Sequence, residues 1–551
     1  MSMTAVARHR LATLAFVGSL VVHLAATGLS LLLDIPGILA PVRIVTTIIA
    51  LPALVALFLD HPVWTIARNT LAQAIRVRVA FVIMAVYLVL VPALPFVVRG
   101  DGTLRGLLHV VIGYSLIVAG LLLGILTLTL STTTLWTELR DKQILLLEAK
   151  PIRRWQILLG KLLGILLINA ALLAFMGLVT WASVRYLVAR AERAAREIPD
   201  QDAAEKRRAQ NRLRDAREQV LSARRTLLPD PPPESDLEEF VRRNVELRCR
   251  QLERPDRLPP EARGIADEAV RRAVIRAAAT QQLTEEFGNL VNAVPPLMGR
   301  RWRFSGITVP RVRELNVTVR FKFFSSDRKS DQPDHVRWEF GVPNRTKAYY
   351  INDAFLPDEV HEIQVHADAV DQDGVLEVRY YNVEPRRPTH IFAATDSIQM
   401  LVPVGGFAGN LVRGLALIFV EVLFIAVLGL FCSAFLGFPV SPIVALAILL
   451  VMFLANSVKV ELEKGFTFDQ NKESPVAQVA ETATRVVTTA LHAILPPFHK
   501  YTPSELVSSG EEVSLTLVLD ATWSIALVYG GILMLLGMHI FERREIALAT
   551  P

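Results

Sequence analysis

The uncharged runs of this chain decide what it can fold into. The stretch "LLGILLINAALLAFMGLVTWA" (Leu162–Ala182) holds no ionisable residue, and a helix rising 1.5 Å per residue needs about 20 such residues to cross a ~30 Å hydrocarbon layer. Comparable blocks recur along the 551 residues, of which 52% are hydrophobic. Backbone polar groups inside a bilayer must be satisfied within the segment, so these blocks are read as helices. The expected class is a polytopic α-helical membrane protein with about eight transmembrane helices, near 11–33, 38–59, 79–98, 107–130, 160–184, 409–433, 438–457 and 521–541. The second contains Pro41, Arg43 and Pro52, and its arginine lies close enough to one end to reach the interface. The first follows Arg8 and Arg10 and lacks a small-x-small cleavage site, so it reads as a span rather than a removed signal.

Basic residues set the orientation. Arg8 and Arg10, then Arg68, Arg76 and Arg78, then Arg140, Lys142, Lys150, Arg153 and Arg154, and finally Arg543 and Arg544 fall on one side. The short connector 99–106 on the other side holds only Arg99 and Arg105. The positive-inside rule then places both termini in the cytoplasm. It accounts for part of the net charge of +6 without invoking nucleic acid. Five regions follow: 1–60 with two spans, 61–185 with three spans and a cytoplasmic connector, 186–299 and 300–406 as a large extracytoplasmic insert, and 407–551 with three spans and an outer segment at 458–520.

The insert changes period partway. From 186 to 299 it is rich in Ala, Arg, Glu and Gln, as in "AEKRRAQNRLRDAREQVLSARRTLL", residues that favour helix. Pro231–Pro233 interrupt the run, and further helix is expected at 236–252 and 261–290. Sparse apolar positions predict solvated, elongated helices, and the interleaved acids argue against nucleic acid. From 300 the period is two: Leu315, Val317, Val319, Phe321 and Phe323, then Val336, Trp338, Phe340 and Val342, then Ile363, Val365, Ala367 and Ala369, then Leu376, Val378 and Tyr380. That alternation predicts antiparallel sheet and a small β-sandwich. "DQDG" (Asp371–Gly374) reads as a hairpin turn between the last two runs. Its Asp371–Asp373 pair resembles the start of a calcium loop but lacks further ligands at suitable spacing.

Little else in the chain resembles catalytic chemistry. G-x-x-x-x-G-K-[ST], H-E-x-x-H, G-x-S-x-G and Cys-x-x-Cys are all missing from the sequence, so neither a nucleotide site nor a metal or cofactor is expected. Cys249 lies in a charged segment and Cys432 in an apolar one, which speaks against pairing. Glu421, in "LALIFVEVLFIAVLGL", is the one acid deep in a late span. An insertion cost of about 2.5–3.5 kcal/mol means that it should face protein or water. It either lines a substrate path or a subunit interface, or is a protonated acid bonded to a neighbouring helix. Arg413 is eight residues earlier, about 12 Å along the helix.

The connector "TELRDKQILLLEAKPIRRWQILLGK" (Thr137–Lys161) is far longer than a turn between spans requires. It reads as an amphipathic interfacial helix, a break at Pro151 (a residue suited to a first turn) and a second helix continuous with a span. Glu138, the apolar run Ile144–Leu147, Pro151, Arg154, Gly160 and Lys161 resemble the E…LL…P-x-x-R…GK pattern of permease subunits of the type-two ABC transporter family, including copper-maturation and gliding-type permeases. "WTIARNTLAQAIRVRV" (Trp64–Val79) is similar to that family's elbow helix, and "IFERREIA" (Ile540–Ala547) to its usual ending. Lys142 and Gln143 stand where the family often has Gly-Thr.

The resemblance covers about 62–184 and 409–551. It implies a non-enzymatic membrane subunit that couples ATP hydrolysis by a separate ATP-binding subunit to export or to force transmission. The setting would be a bacterial inner membrane, with a second permease subunit, identical or related. Glu138, Leu146, Pro151, Arg153, Arg154, Gly160 and Lys161 would carry the coupling. An ordinary interfacial helix is the plainer reading of the connector. The competing function is a non-transporting membrane anchor whose outer domain binds an envelope partner.

Overall fold

The computed structural model describes residues 61–76, 78–98, 102–140, 152–199, 202–232, 234–254, 267–307, 316–326, 332–384, 388–392, 397–463 and 496–544, with isolated positions between 14 and 46 and between 258 and 262. The expected spans at 11–33 and 38–59 lie largely outside the described residues. The chain divides into two compact units, Met1–Leu221 with Gly406–Pro551, and Ser222–Gly405.

In the first unit, α1 (His61–Arg76), α2 (Val79–Val97), α3 (Leu104–Arg140), α4 (Arg154–Glu197) and α5 (Ala203–Gln219) precede the second unit in sequence. After it come α8 (Phe407–Phe435), α9 (Val440–Glu463), α10 (Pro503–Ser508) and α11 (Leu515–Arg543). Five of these helices (α2, α3, α4, α8 and α11) are long and apolar enough to cross a membrane. The apolar part of α9, Val440–Leu454, is shorter. The last span starts at Leu515, six residues before the boundary expected from hydropathy, because Ser514 caps it by accepting from the Leu517 N–H at 3.1 Å.

Apolar packing between helices gains little in lipid, so close approach and polar ties do more of the holding. Tyr87 on α2 donates to the Ser115 carbonyl of α3 and lies 2.8 Å from Thr180 Oγ1 on α4. Thr127 on α3 donates to Asn169 Oδ1 on α4 at 3.0 Å. Asn410 at the start of α8 both donates to the Glu511 carbonyl and accepts from the Val513 N–H. Arg413 pairs with Glu512 at 3.2 Å, so it serves the start of α8 and not Glu421.

The second unit holds α6 (Glu234–Leu252), α7 (Glu268–Asn292) and eleven strands among the described residues. The two helices pack through Val245, Leu252, Ile275, Ala279 and Leu283, and an Arg248–Glu286 ion pair joins them. The expected continuous helix through 222–227 is corrected. Ser222–Leu227 is strand β1, because its position beside β11 (Ile398–Gly406) in a sheet outweighs the helix propensity of its arginines.

β2 is Ala293–Val294, β3 Gly299–Phe304, β4 Asn316–Phe321, β5 Phe324–Ser325, β6 Asp334–Phe340, β7 Tyr349–Phe355, β8 His361–His366, β9 Leu376–Asn382 and β10 His390–Ile391. Two four-stranded sheets form, in the orders β1-β11-β4-β8 and β3-β9-β6-β7, with a three-stranded β2-β10-β5 beside them. The period-two residues Val317, Val319, Phe321, Val336, Trp338, Phe340, Ile363, Val365, Val378 and Tyr380 share one core.

The hairpin expected at 371–374 is also corrected. β8 pairs with β4 while β9 pairs with β3 and β6, so the Asp371–Gly374 turn carries the chain from one sheet to the other. Gly374 is required at the turn: its φ is +70°, and a Cβ there would lie 2.6 Å from the Ile307 carbonyl oxygen.

Candidate functional site

Four helix ends of the first unit meet where α3, α8 and α11 finish and α4 begins. The last turns of α3 read "STTTLWTEL", and the hydroxyls of Ser131, Thr132, Thr133, Thr134 and Thr137 all donate back to carbonyls three or four residues earlier. This disposes of every hydroxyl in an apolar setting. It also leaves the Thr134 carbonyl turned toward Lys161, whose Nζ donates to it at 3.2 Å.

The Lys161 side chain is fully buried, and its Nζ lies 2.8 Å from Glu138 Oε2. Two charges removed from water are tolerable only as a pair. Glu138 and Lys161 therefore join α3 to α4 inside the bundle, rather than presenting charge outward to a partner.

Arg154 closes the next junction. Its Nη1 donates to the carbonyls of Phe541, Glu542 and Arg544 at 3.1, 3.1 and 2.6 Å. Those carbonyls end α11, where no intrahelical N–H remains to meet them and the helix dipole is negative. Arg544 in turn donates to the Ala434 carbonyl, in the last turn of α8, at 2.9 Å. The start of α4 thus holds the end of α11, and the residue after α11 holds the end of α8. Arg153 precedes α4, its N–H donating to Gln156 Oε1 and its carbonyl accepting from the Gln156 N–H. The middle of the connector, 141–151, lies outside the described residues, and Leu146 and Pro151 with it.

Gly160 has a packing role. A Cβ there would lie 2.6 Å from Ile66 Cβ and 2.9 Å from the Val63 carbonyl of α1. Gly164 meets the Ala67 carbonyl and Thr70 in the same way. The pair forms a G-x-x-x-G stripe that lets α1 lie directly on α4, one residue away from the buried Lys161. Gly429 on α8 likewise sits over Ser131 of α3 with no room for a side chain.

Glu421 is apart from this cluster. With Ile418 and Ile425 it lines a cavity of 520 Å³ between α3, α8, α9 and residues 498–504. No described residue hydrogen-bonds or ion-pairs with its carboxyl.

In the second unit, Asp371 and Asp373 both accept from Arg345 Nη1, at 2.8 and 3.1 Å, so these carboxylates hold an arginine. The Arg345 hydrogen bond keeps the Asp371 carboxyl below the usual aspartate range. A further buried group joins Asp334, His390 and Tyr380. His390 Nε2 is 3.2 Å from Asp334 Oδ2, and the Tyr380 hydroxyl bonds His390 Nδ1. Burial pushes the Tyr380 phenol well above its ordinary value. Sequence reading found neither this trio nor the roles of Gly164 and Arg544. The G-x-x-x-G spacing and the double arginine after the last span were the available signals for the latter two.

Compared with protein-family models, curated proteins and solved structures, the chain matches none of them.

Proposed function

We propose that the chain is the membrane-spanning permease subunit of an ABC-type transport complex. A separate ATP-binding subunit would act on the connector between α3 and α4, from the cytoplasmic side of a bacterial inner membrane. One observation carries this reading: four helix ends are tied together around that connector, by Lys161 to Glu138, by Arg154 to the end of α11 and by Arg544 to the end of α8. A push on 141–151 would reach helix ends that are already held to one another. It would load the start of α4 and, through charge-assisted hydrogen bonds, α8 and α11. A second permease subunit, identical or related, would complete the assembly, and the work done would be export or force transmission.

The test is to purify the tagged full chain from its native membrane and identify the proteins that accompany it. A stoichiometric partner containing a P-loop is expected, with ATP hydrolysis that changes when Arg154 is replaced by Ala. A stable, folded chain with no such partner would overturn the reading.

The self-contained core of the 222–405 unit favours one competitor, a membrane anchor that presents this unit to an envelope partner. In that case a protein bound to the unit copurifies and no ATPase does.

A further inference from the structure

The cavity at Glu421 has the size and lining of a ligand site. Its 520 Å³ falls within the roughly 300–1,000 Å³ typical of small-molecule pockets. Its walls are apolar over most of their extent: Leu116 and Leu121 from α3, Ile418 and Ile425 from α8, Leu449 and Met452 from α9. Among the described residues that line it, Glu421 is the only ionisable group apart from the Tyr501 phenol. That phenol is already committed, its hydroxyl donating to Asp520 Oδ2 at 2.5 Å and lying 3.1 Å from Ser524 Oγ. It therefore does not answer the carboxyl.

Arg413, the cation expected on the same helical face, is held by Glu512. Glu421 lies eight residues deeper on α8, about 12 Å by helical rise. Thr502 and Ser504 also line it, so the lining combines two hydroxyl residues and a single acid with hydrocarbon.

A carboxylate in such surroundings is costly alone and is relieved by an opposite charge that arrives with its own apolar body. We infer that this cavity binds a lipophilic monocation, with Glu421 as its counter-ion and the α3, α8 and α9 side chains around its apolar groups. A neutral lipid chain would have no use for Glu421, and a hydrophilic cation would not repay its desolvation against these walls.

Binding is read on this chain alone, so the outcome is separate from whether an ATP-binding subunit partners it. The full chain in lipid nanodiscs is titrated with radiolabelled tetraphenylphosphonium and, in a separate titration, with radiolabelled tetraphenylborate, the same shape of opposite charge. Saturable binding of the cation is expected, and none of the anion. Glu421→Gln should weaken binding at least tenfold, while Glu421→Asp, which keeps the charge, should retain part of it.

Gly120 provides a second route, because it lines the same cavity and nothing lies within 4 Å of a Cβ added there. Gly120→Leu should fill the cavity and weaken binding with Glu421 intact, even if the Glu421 variants fold poorly. Equal affinity in wild type, Glu421→Gln and Gly120→Leu overturns the inference. So does equal affinity for the anion titrated by itself, or the lack of saturable cation binding in the wild type.

Discussion

Lys161 Nζ and Glu138 Oε2 stand 2.8 Å apart with both side chains sealed from solvent. Such a pair adds little over an apolar substitute, yet removing one member strands the other. Lys161→Met should therefore cost about 3–5 kcal/mol. The double variant Glu138→Leu with Lys161→Met should recover most of that loss. Thermal unfolding in detergent gives the comparison, and a double variant as unstable as Lys161→Met would show that the pair is not what matters there.

Arg154 meets three carbonyls at once through a single nitrogen, Nη1, at the tip of its long stem. Replacing it by Ala should cost about 1.5–3 kcal/mol, the range for hydrogen bonds to charged groups. Arg154→Lys should recover less than half, since its ammonium keeps the charge but sits one bond nearer the backbone and falls short of the position of Nη1. Urea unfolding at constant lipid is a suitable readout. Full recovery by lysine would reduce Arg154 to a charge beside a helix dipole.

Two glycines should respond to alanine with opposite signs. At Gly160 the new Cβ would enter α1 at 2.6 Å from Ile66 Cβ, and overpacking of that kind costs about 1–3 kcal/mol. At Gly120 the space is open, and alanine should stabilise the helix by about 0.5–1 kcal/mol. Melting temperatures of the two variants are the measurement. A shared sign would mean that helix propensity outweighs the packing of α1 on α4.

The parts legible in sequence were those set by local pattern. Uncharged length foretold α2, α3, α4, α8 and α11, and period two foretold which faces of β4, β6, β8 and β9 are buried, down to Val317, Trp338 and Tyr380. What pattern could not supply was pairing. Nothing near Ser222–Leu227 says that β11 lies beside it, and nothing in "DQDG" says that the strands on either side of it join different sheets. The same limit applied at the site. In sequence Glu138 and Lys161 read as separate coupling residues of the connector, and only the packing of α3 against α4 turns them into a buried pair. Arg544 belonged to a run of terminal charges until the Ala434 carbonyl appeared in front of it.

The Asp371 turn makes a prediction in pH. Arg345 donates to Asp371 at 2.8 Å and to Asp373 at 3.1 Å, and the Asp371 N–H and the Gly374 N–H close the turn on Val375 and Asp371. The Arg345 hydrogen bond lowers the folded-state pKa of Asp371 below its unfolded value. Protons then bind the unfolded segment more readily than the folded one. The stabilisation is complete above the unfolded aspartate value, about 3.9, and is lost as pH falls through the lower folded value. Neutral pH therefore favours the turn and strong acid opens it. Hydrogen exchange at residues 371–376, corrected for intrinsic rates, should show protection that is flat from pH 7 to about 5 and declines below about 4. In Asp371→Asn the protection should be lower at neutral pH and its acid decline shallower, because the nearer of the two carboxylates that hold Arg345 is gone. Identical profiles in the two proteins would leave the turn to Gly374 and the backbone alone.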